Sequence, residues 1–348
     1  MLLPVPAGSR EQDRVRFSEA CTSEMKPHAR HICAQTSAVG RFRTKARIQD
    51  SREIRQSHKE DTMAMEEAMA LTNRLLAQTQ ALGAATAYLK LNEDGRKVNP
   101  ALHGHLERVV DLLGARQALA DLNDQERAVV TSFARSYLHQ ALELMDDPAR
   151  TNAWSHSDPT ILQAQGSASA VVAKLIADAG FGGQGIHILD IGTGVAGLAI
   201  SFCKTFPNST VVGLDPWEPA LSLARTNVAN AGLESRITLH GLPIQSFEDK
   251  EGFDLIWLPS FFIPESVIDD AMRRAKNFLR PNGFLIVGVI EGGGDPLAEA
   301  IDAMITVRSG GSALEPVEVI ARLTNAGFEY AREVERTWQA PLRLVAAQ

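Results

Sequence analysis

Apolar and polar positions change their period along the chain, and the changes divide it into three stretches. Over residues 1–62 there is little hydrophobic periodicity, and charges of both signs are scattered through it, as in Arg41-Phe42-Arg43-Thr44-Lys45-Ala46-Arg47; this stretch is expected to be a disordered extension. From Met63 the apolar positions Met65, Met69, Leu75, Leu76 and Leu82 fall near helical spacing and predict one amphipathic helix. A second helix is expected from Pro100 to Leu113, stopping at Gly114. A third starts at Asn123, whose side chain can cap it while Glu126 reaches back as a capping box, and continues through Val129, Val130, Phe133, Tyr137 and Leu144. Residues 63–150 therefore read as a small all-helical domain, serving dimerisation or as a lid.

From Ile186 strands and helices alternate, which predicts a parallel sheet covered on both faces. Strands are expected at 186–191, 210–214, 237–240, 254–258 and 284–289. The helices between them are expected at 195–206, 219–231 and 265–279, with two more at 296–307 and 316–326. The runs 330–338 and 342–346, joined by Gln339-Ala340-Pro341, read as a hairpin that brings the last strand in antiparallel. The fold class is α/β: a doubly wound, seven-stranded, mostly parallel sheet over residues 151–348, preceded by the helical domain.

Composition narrows the partners. With 348 residues and 45% hydrophobic content the chain can bury a large core and a smaller one. No window approaches the ~18 to 20 apolar residues of a membrane helix, and the first residues are charged too soon for a secretory signal, so a cytoplasmic protein without membrane contact is expected. The net charge of −7 is uneven: residues 1–62 hold 12 Lys/Arg against 8 Asp/Glu, leaving 23 against 34 in the remainder. An acidic second part argues against nucleic acid as a partner. Cys21, Cys33 and Cys203 are odd in number and far apart, which indicates neither a disulfide framework nor a cysteine metal site. No metal is expected.

The chemistry concentrates in Leu189-Asp190-Ile191-Gly192-Thr193-Gly194-Val195-Ala196-Gly197, between a predicted strand and a predicted helix. Glycines there allow positive φ and close approach of a ligand. Asp190, two residues before the first glycine, would repel a pyrophosphate and welcome a cationic amino-acid tail. Asp215, 23 residues after Gly192, stands where a carboxylate accepts ribose hydroxyls.

These motifs, in this order, resemble the class I S-adenosylmethionine (SAM)-dependent methyltransferases, over about residues 160–348. The resemblance implies SAM as cofactor. It places the glycine-rich turn of Asp190, Gly192, Thr193, Gly194 and Gly197 around the methionine and ribose, Asp215 on the ribose, and Pro216 and Trp217 on the adenine. Leu279-Arg280-Pro281-Asn282-Gly283 stands for the family's turn before strand five, and the terminal hairpin fits its antiparallel seventh strand.

The departures also inform. His240-Gly241-Leu242-Pro243 replaces the family's Gly-Asp-Ala after strand three, leaving the Leu242 backbone or Gln245 for the adenine. Leu258-Pro259-Ser260-Phe261-Phe262 replaces the Asn/Asp-Pro-Pro-aromatic run of amino-group enzymes, so Pro259 to Phe262 are expected to form an apolar wall near the donor. No histidine follows His240, whereas many relatives with a helical N-terminal domain place one after strand four or five. The candidates to touch substrate or act as base are His156, just before the SAM-binding domain, and Glu291, at the end of strand five. Gln163 and Gln165 could line the cofactor pocket.

The leading expectation is methyl transfer to a small-molecule acceptor, with a homodimer through the helical domain as the expected assembly. A protein or RNA methyltransferase recruited by the basic segment 1–62, and a SAM-binding scaffold without catalysis, are the alternatives.

Overall fold

The computed structural model describes residues 62–91, 99–291, 294–338 and 340–348. The predicted extension lies outside the described residues as far as residue 61. The chain divides into two compact units, 1–80 and 81–348. Residues 62–89 are helical (α1).

Three helices precede the sheet region in the second unit: α2 (Pro100–Leu112), α3 (Arg116–Ala120) and α4 (Asp124–Asp146). Gly114 takes φ +65° just beyond α2, as a helix stop does. At the start of α4 the Asn123 side chain accepts the Glu126 N–H at 3.0 Å, and the Glu126 carboxylate accepts the Asn123 N–H at 2.9 Å, so the predicted capping box is formed. Two further helices, α5 (Pro159–Ser169) and α6 (Val172–Asp178), lead into the sheet. Gln163 and Gln165 sit on α5, ahead of α6.

The sheet has seven strands in the order β3-β2-β1-β4-β5-β7-β6. They are β1 (His187–Ile191), β2 (Thr210–Leu214), β3 (Ile237–His240), β4 (Phe253–Pro259), β5 (Leu279–Ile290), β6 (Ala331–Glu333) and β7 (Leu342–Ala347). The first five pair in parallel, while β7 runs antiparallel to both β5 and β6. Helices α7 (Gly197–Thr205), α8 (Glu218–Asn230), α9 (Ile268–Phe278), α10 (Pro296–Arg308) and α11 (Pro316–Asn325) connect them.

Successive strand side chains enter opposite cores, which is why these strands read as apolar runs rather than alternations. Ile188, Leu255, Trp257 and Ile286 pack with Leu198, Phe202 and Leu221 from α7 and α8. Their neighbours Leu189, Ile256, Leu258 and Leu285 pack on the other face with Met272 of α9 and Val319 and Leu323 of α11.

Three boundaries differ from the expectation. Leu279–Gly283 is not a turn outside β5 but its beginning, with Asn282 at φ +66° and a register irregularity opposite Phe253 and Leu255. The helix after β4 starts at Ile268 instead of 265, because Ser260–Phe262 first forms a 3-10 turn. The first run of the hairpin shrinks to Ala331–Glu333. Beyond it, Val334 still donates its N–H to the Leu344 carbonyl, but the chain then leaves the ladder.

Candidate active site

The carboxyl ends of β1, β2 and β4 face one cavity of about 580 Å³, lined mainly by apolar and aromatic side chains. Its floor is the turn after β1. The N–H groups of Gly192 and Thr193 both donate to the Leu214 carbonyl, at 2.8 and 3.0 Å, which ties the turn to the end of β2. Gly192 and Gly194 have φ +72° and +55°, and a Cβ built on Gly194 would meet no protein atom within 4 Å. The backbone thus needs glycine there, and the missing side chain leaves open space on the cavity side. Ala196, also left-handed at φ 63°, turns the chain into α7.

Two carboxylates organise this floor. Asp190 is 1% exposed and accepts the Thr193 hydroxyl at 2.7 Å. Burial pushes its pKa up to about 7, against the Thr193 hydrogen bond and with the nearby Asp215 adding to the rise. Asp215, half-buried, accepts the Gly194 N–H through Oδ2 and the Trp217 N–H through Oδ1, each at 2.8 Å. Burial raises its pKa too, while these two backbone donors hold it down. One side chain therefore joins the glycine turn to the start of α8, and its remaining lone pairs are available to hydroxyl donors.

Of the residues expected to hold the cofactor, Asp190, Gly192, Thr193, Gly194, Asp215, Pro216, Trp217, Leu242 and Pro259 line the cavity. Gly197 does not. A Cβ there would collide with the backbone of Gly166 on α5, so its glycine serves helix crossing. Gln165 reaches the cavity and accepts the Ser136 hydroxyl at 3.3 Å. Gln163 instead exchanges two amide hydrogen bonds with Asn227 of α8, both 3.1 Å.

Neither proposed catalytic group lies on the cavity wall. The His156 side chain is buried behind Trp154, with its ring edge-on to that indole at 4.7 Å and Nδ1 3.2 Å from Glu143. Burial lowers its pKa, against the pull of Glu143. Its carbonyl accepts the Trp217 indole N–H at 2.7 Å, which fixes the Trp217 ring at the cavity edge. Glu291 is turned to Arg343 at 3.3 Å and lines a separate small cavity of about 60 Å³.

Sequence reasoning expected Phe261 and Phe262 in an apolar wall of the cavity but missed what α4 and Trp154 add to it. Phe133, Tyr137 and Gln140 of α4, Trp154, and Phe261 and Phe262 after β4 all contribute to it. Phe133 and Tyr137 stack at 5.0 Å, and Trp154 meets Phe262 edge to face at 5.2 Å. Burial, reinforced by the nearby Asp302 carboxylate, pushes the Tyr137 pKa up to about 12, so its hydroxyl keeps its proton at neutral pH.

Residues 188–283, which carry this turn and both carboxylates, match the family described as a methyltransferase domain. That stretch is a methyltransferase domain. Among curated relatives, a release factor glutamine methyltransferase of Rhodopirellula baltica is 32% identical over 102 residues, which is 29% of this chain and 34% of that one; the chain thus spans about a third of that relative's length. Among solved structures, human N-acetylserotonin methyltransferase in complex with SAM superposes with a TM-score of 0.57 at 14% identity, covering 81% of this chain and 97% of that one. Mitomycin 7-O-methyltransferase does so with 0.53 at 19% identity, covering 82% and 99%. About four fifths of the chain thus shares the fold of these enzymes over nearly their whole length.

Proposed function

We propose that this protein transfers the methyl group of SAM to a small-molecule acceptor. The observation that carries the reading is the single cavity in which the glycine turn, Asp190 and Asp215 face an aromatic wall from α4 and from the segment after β4. The residues present fit the cofactor. The buried Asp190 carboxylate suits the cationic amino-acid end, the open side of Gly194 leaves room beside the turn, and Asp215 keeps acceptor capacity for the ribose. Pro216, Trp217 and the Leu242 backbone would flank the adenine, with Pro259 near the sulfonium.

SAM supplies a methyl group on a positively charged sulfur, which an aligned nucleophile displaces in line. The chain's own task is then to hold the acceptor close and to exclude water. Phe133, Tyr137, Trp154 and Phe262 supply flat apolar surfaces for that, and the Tyr137 hydroxyl, whose single proton faces Asp302, keeps its oxygen to accept from a polar group of the acceptor. In this reading His156 acts through Trp217 as a positioning residue, and Glu291, paired with Arg343, has no part in the transfer. Helix α4 contributes to the acceptor side, and residues 151–348 hold the cofactor. Exposed Met65, Met69, Leu75 and Leu76 on α1 support a homodimer through the helical region.

The glutamine-methylating relative suggests a second reading, a protein acceptor. The residue at the position of the polar group used for amides is here Leu258, fully buried in the core away from the cavity, which favours the first reading.

The test is transfer of labelled methyl from SAM into fractionated cell extract by the full chain and by a chain lacking residues 1–62. Label in the low-mass fraction from both supports the proposal. Label confined to protein, and lost with the truncation, overturns it. Calorimetry with SAM and S-adenosylhomocysteine on the same samples separates binding from turnover.

A further inference from the structure

On the far side of Trp154 from the cavity, three potential ligands converge: His139 and Glu143, one turn apart on α4, and His156 from the segment before α5. His139 Nε2 lies 3.4 Å and His156 Nδ1 3.2 Å from the same oxygen, Glu143 Oε1, and all three ligand atoms fall within 4.8 Å of one another. A tetrahedral ion with bonds of ~2.0–2.1 Å holds neighbouring ligand atoms roughly 3.3–3.4 Å apart, so the first two spacings are those of a preformed site. The second oxygen, Glu143 Oε2, is buried and has no hydrogen-bond partner. Pairing with two imidazoles through Oε1 leaves that oxygen unsatisfied, whereas a cation bound by both carboxylate oxygens would satisfy it.

We propose that His139, Glu143 and His156 bind a divalent zinc ion that fastens the 154–158 segment to α4. Two imidazole nitrogens and a carboxylate are a donor set suited to zinc. The supporting contacts hold the ligands in place: Arg308 donates to the Glu143 carbonyl at 2.8 Å, and Trp217 donates to the His156 carbonyl at 2.7 Å. His156 is buried, but the His139 and Glu143 side chains are 40% and 30% exposed, which gives the ion an entry path from solvent. Arg150, which ties into Ser155 and the Arg308 carbonyl, adds an opposing positive charge nearby that weakens binding of the ion. The ion is structural. None of its three ligands lines the cavity, whereas Trp154, in ring contact with His156, and Trp217, bonded to the His156 carbonyl, both do, so the ion would stiffen the aromatic wall and take no part in the methyl step.

The experiment titrates zinc chloride into the chelator-treated full chain, with calorimetry and thermal unfolding as readouts, beside His139→Ala and Glu143→Gln. His28, His31, His58, Cys21 and Cys33 also belong to the full chain, so the comparison with the variants carries the answer. The expected result is one more equivalent of zinc bound by the parent chain than by either variant, and a zinc-induced rise in Tm that both variants lose. S-adenosylhomocysteine binding retained by both would show that they fold and that the ion site is separate from the cofactor site. Equal zinc stoichiometry in parent and variants, or a Tm unmoved by zinc in the parent, would overturn the proposal and leave a metal-free His-Glu-His triad. Visible absorption of the cobalt(II)-loaded parent, lost in His139→Ala, would identify the histidine ligand directly.

Discussion

A Cβ placed on Gly197 would lie 2.2 Å from the carbonyl oxygen of Gly166, so helices α7 and α5 cross with backbone against backbone. Neither atom belongs to a flexible side chain that could swing away. Gly197→Ala should therefore destabilise the fold by about 1–3 kcal/mol through overpacking. Urea unfolding measures this; an unchanged midpoint would mean that the two helices separate at little cost.

The buried Asp190 sets a pH dependence. Its folded pKa is about 7 against an ordinary 3.8, so between these values the folded chain binds more protons than the unfolded one. Stability of the cofactor-free protein should fall as pH rises from about 4 to about 7, by an amount on the order of 4 kcal/mol. The sign reverses for binding, because a cationic ligand favours the carboxylate: SAM affinity should rise with pH through neutrality. Asp190→Asn should flatten both profiles and stabilise the cofactor-free chain above pH 7. Equal pH profiles for parent and variant would exclude this carboxylate as their source.

Asp215→Ala should weaken SAM binding by about 1–3 kcal/mol, since it removes hydrogen bonds to the ligand together with those that hold Gly194 and Trp217. Calorimetry checks it, and undiminished affinity would remove Asp215 from the site.

Gly194→Val acts differently. The new Cβ would meet no protein atom within 4 Å, yet valine would need φ +55° there and its side chain would project into the cavity. A folded protein unable to bind SAM is expected. Normal binding by the variant would put the cofactor elsewhere.

Glu291→Gln should leave the transfer rate within about twofold and lower stability by at most ~1 kcal/mol, the worth of a partly exposed ion pair with Arg343. A collapse of turnover with intact SAM affinity would instead return Glu291 to the chemistry.

Legibility in the sequence followed the range of the interactions. Strand runs, the glycine turn and the Asn123–Glu126 cap are local patterns, and each appears where the spacing puts it. Phe133 and Tyr137 were legible as one face of a helix, but a face that packs on a core and a face that lines a cavity share the same 3.6-residue period. The positions of His156 against Glu143 and of Glu291 against Arg343 depend on elements far apart in the chain. Gly197 sat in a ligand-binding motif by spacing, and only its distance to Gly166 shows the second demand for a glycine.

The antiparallel β7 has a consequence for how the molecule is made. It lies between β5 and β6, and β6 pairs with no other strand. During synthesis β6 leaves the ribosome first and waits, while the edge of β5 stays open. Only when residues 342–347 slide in does the sheet gain its last two members together. Until then the nascent chain presents an unpaired apolar edge, the state in which aggregation competes with folding. The closing step of folding is thus an insertion, and mutations in β7 should reduce the yield of folded protein more than their effect on the finished structure would suggest.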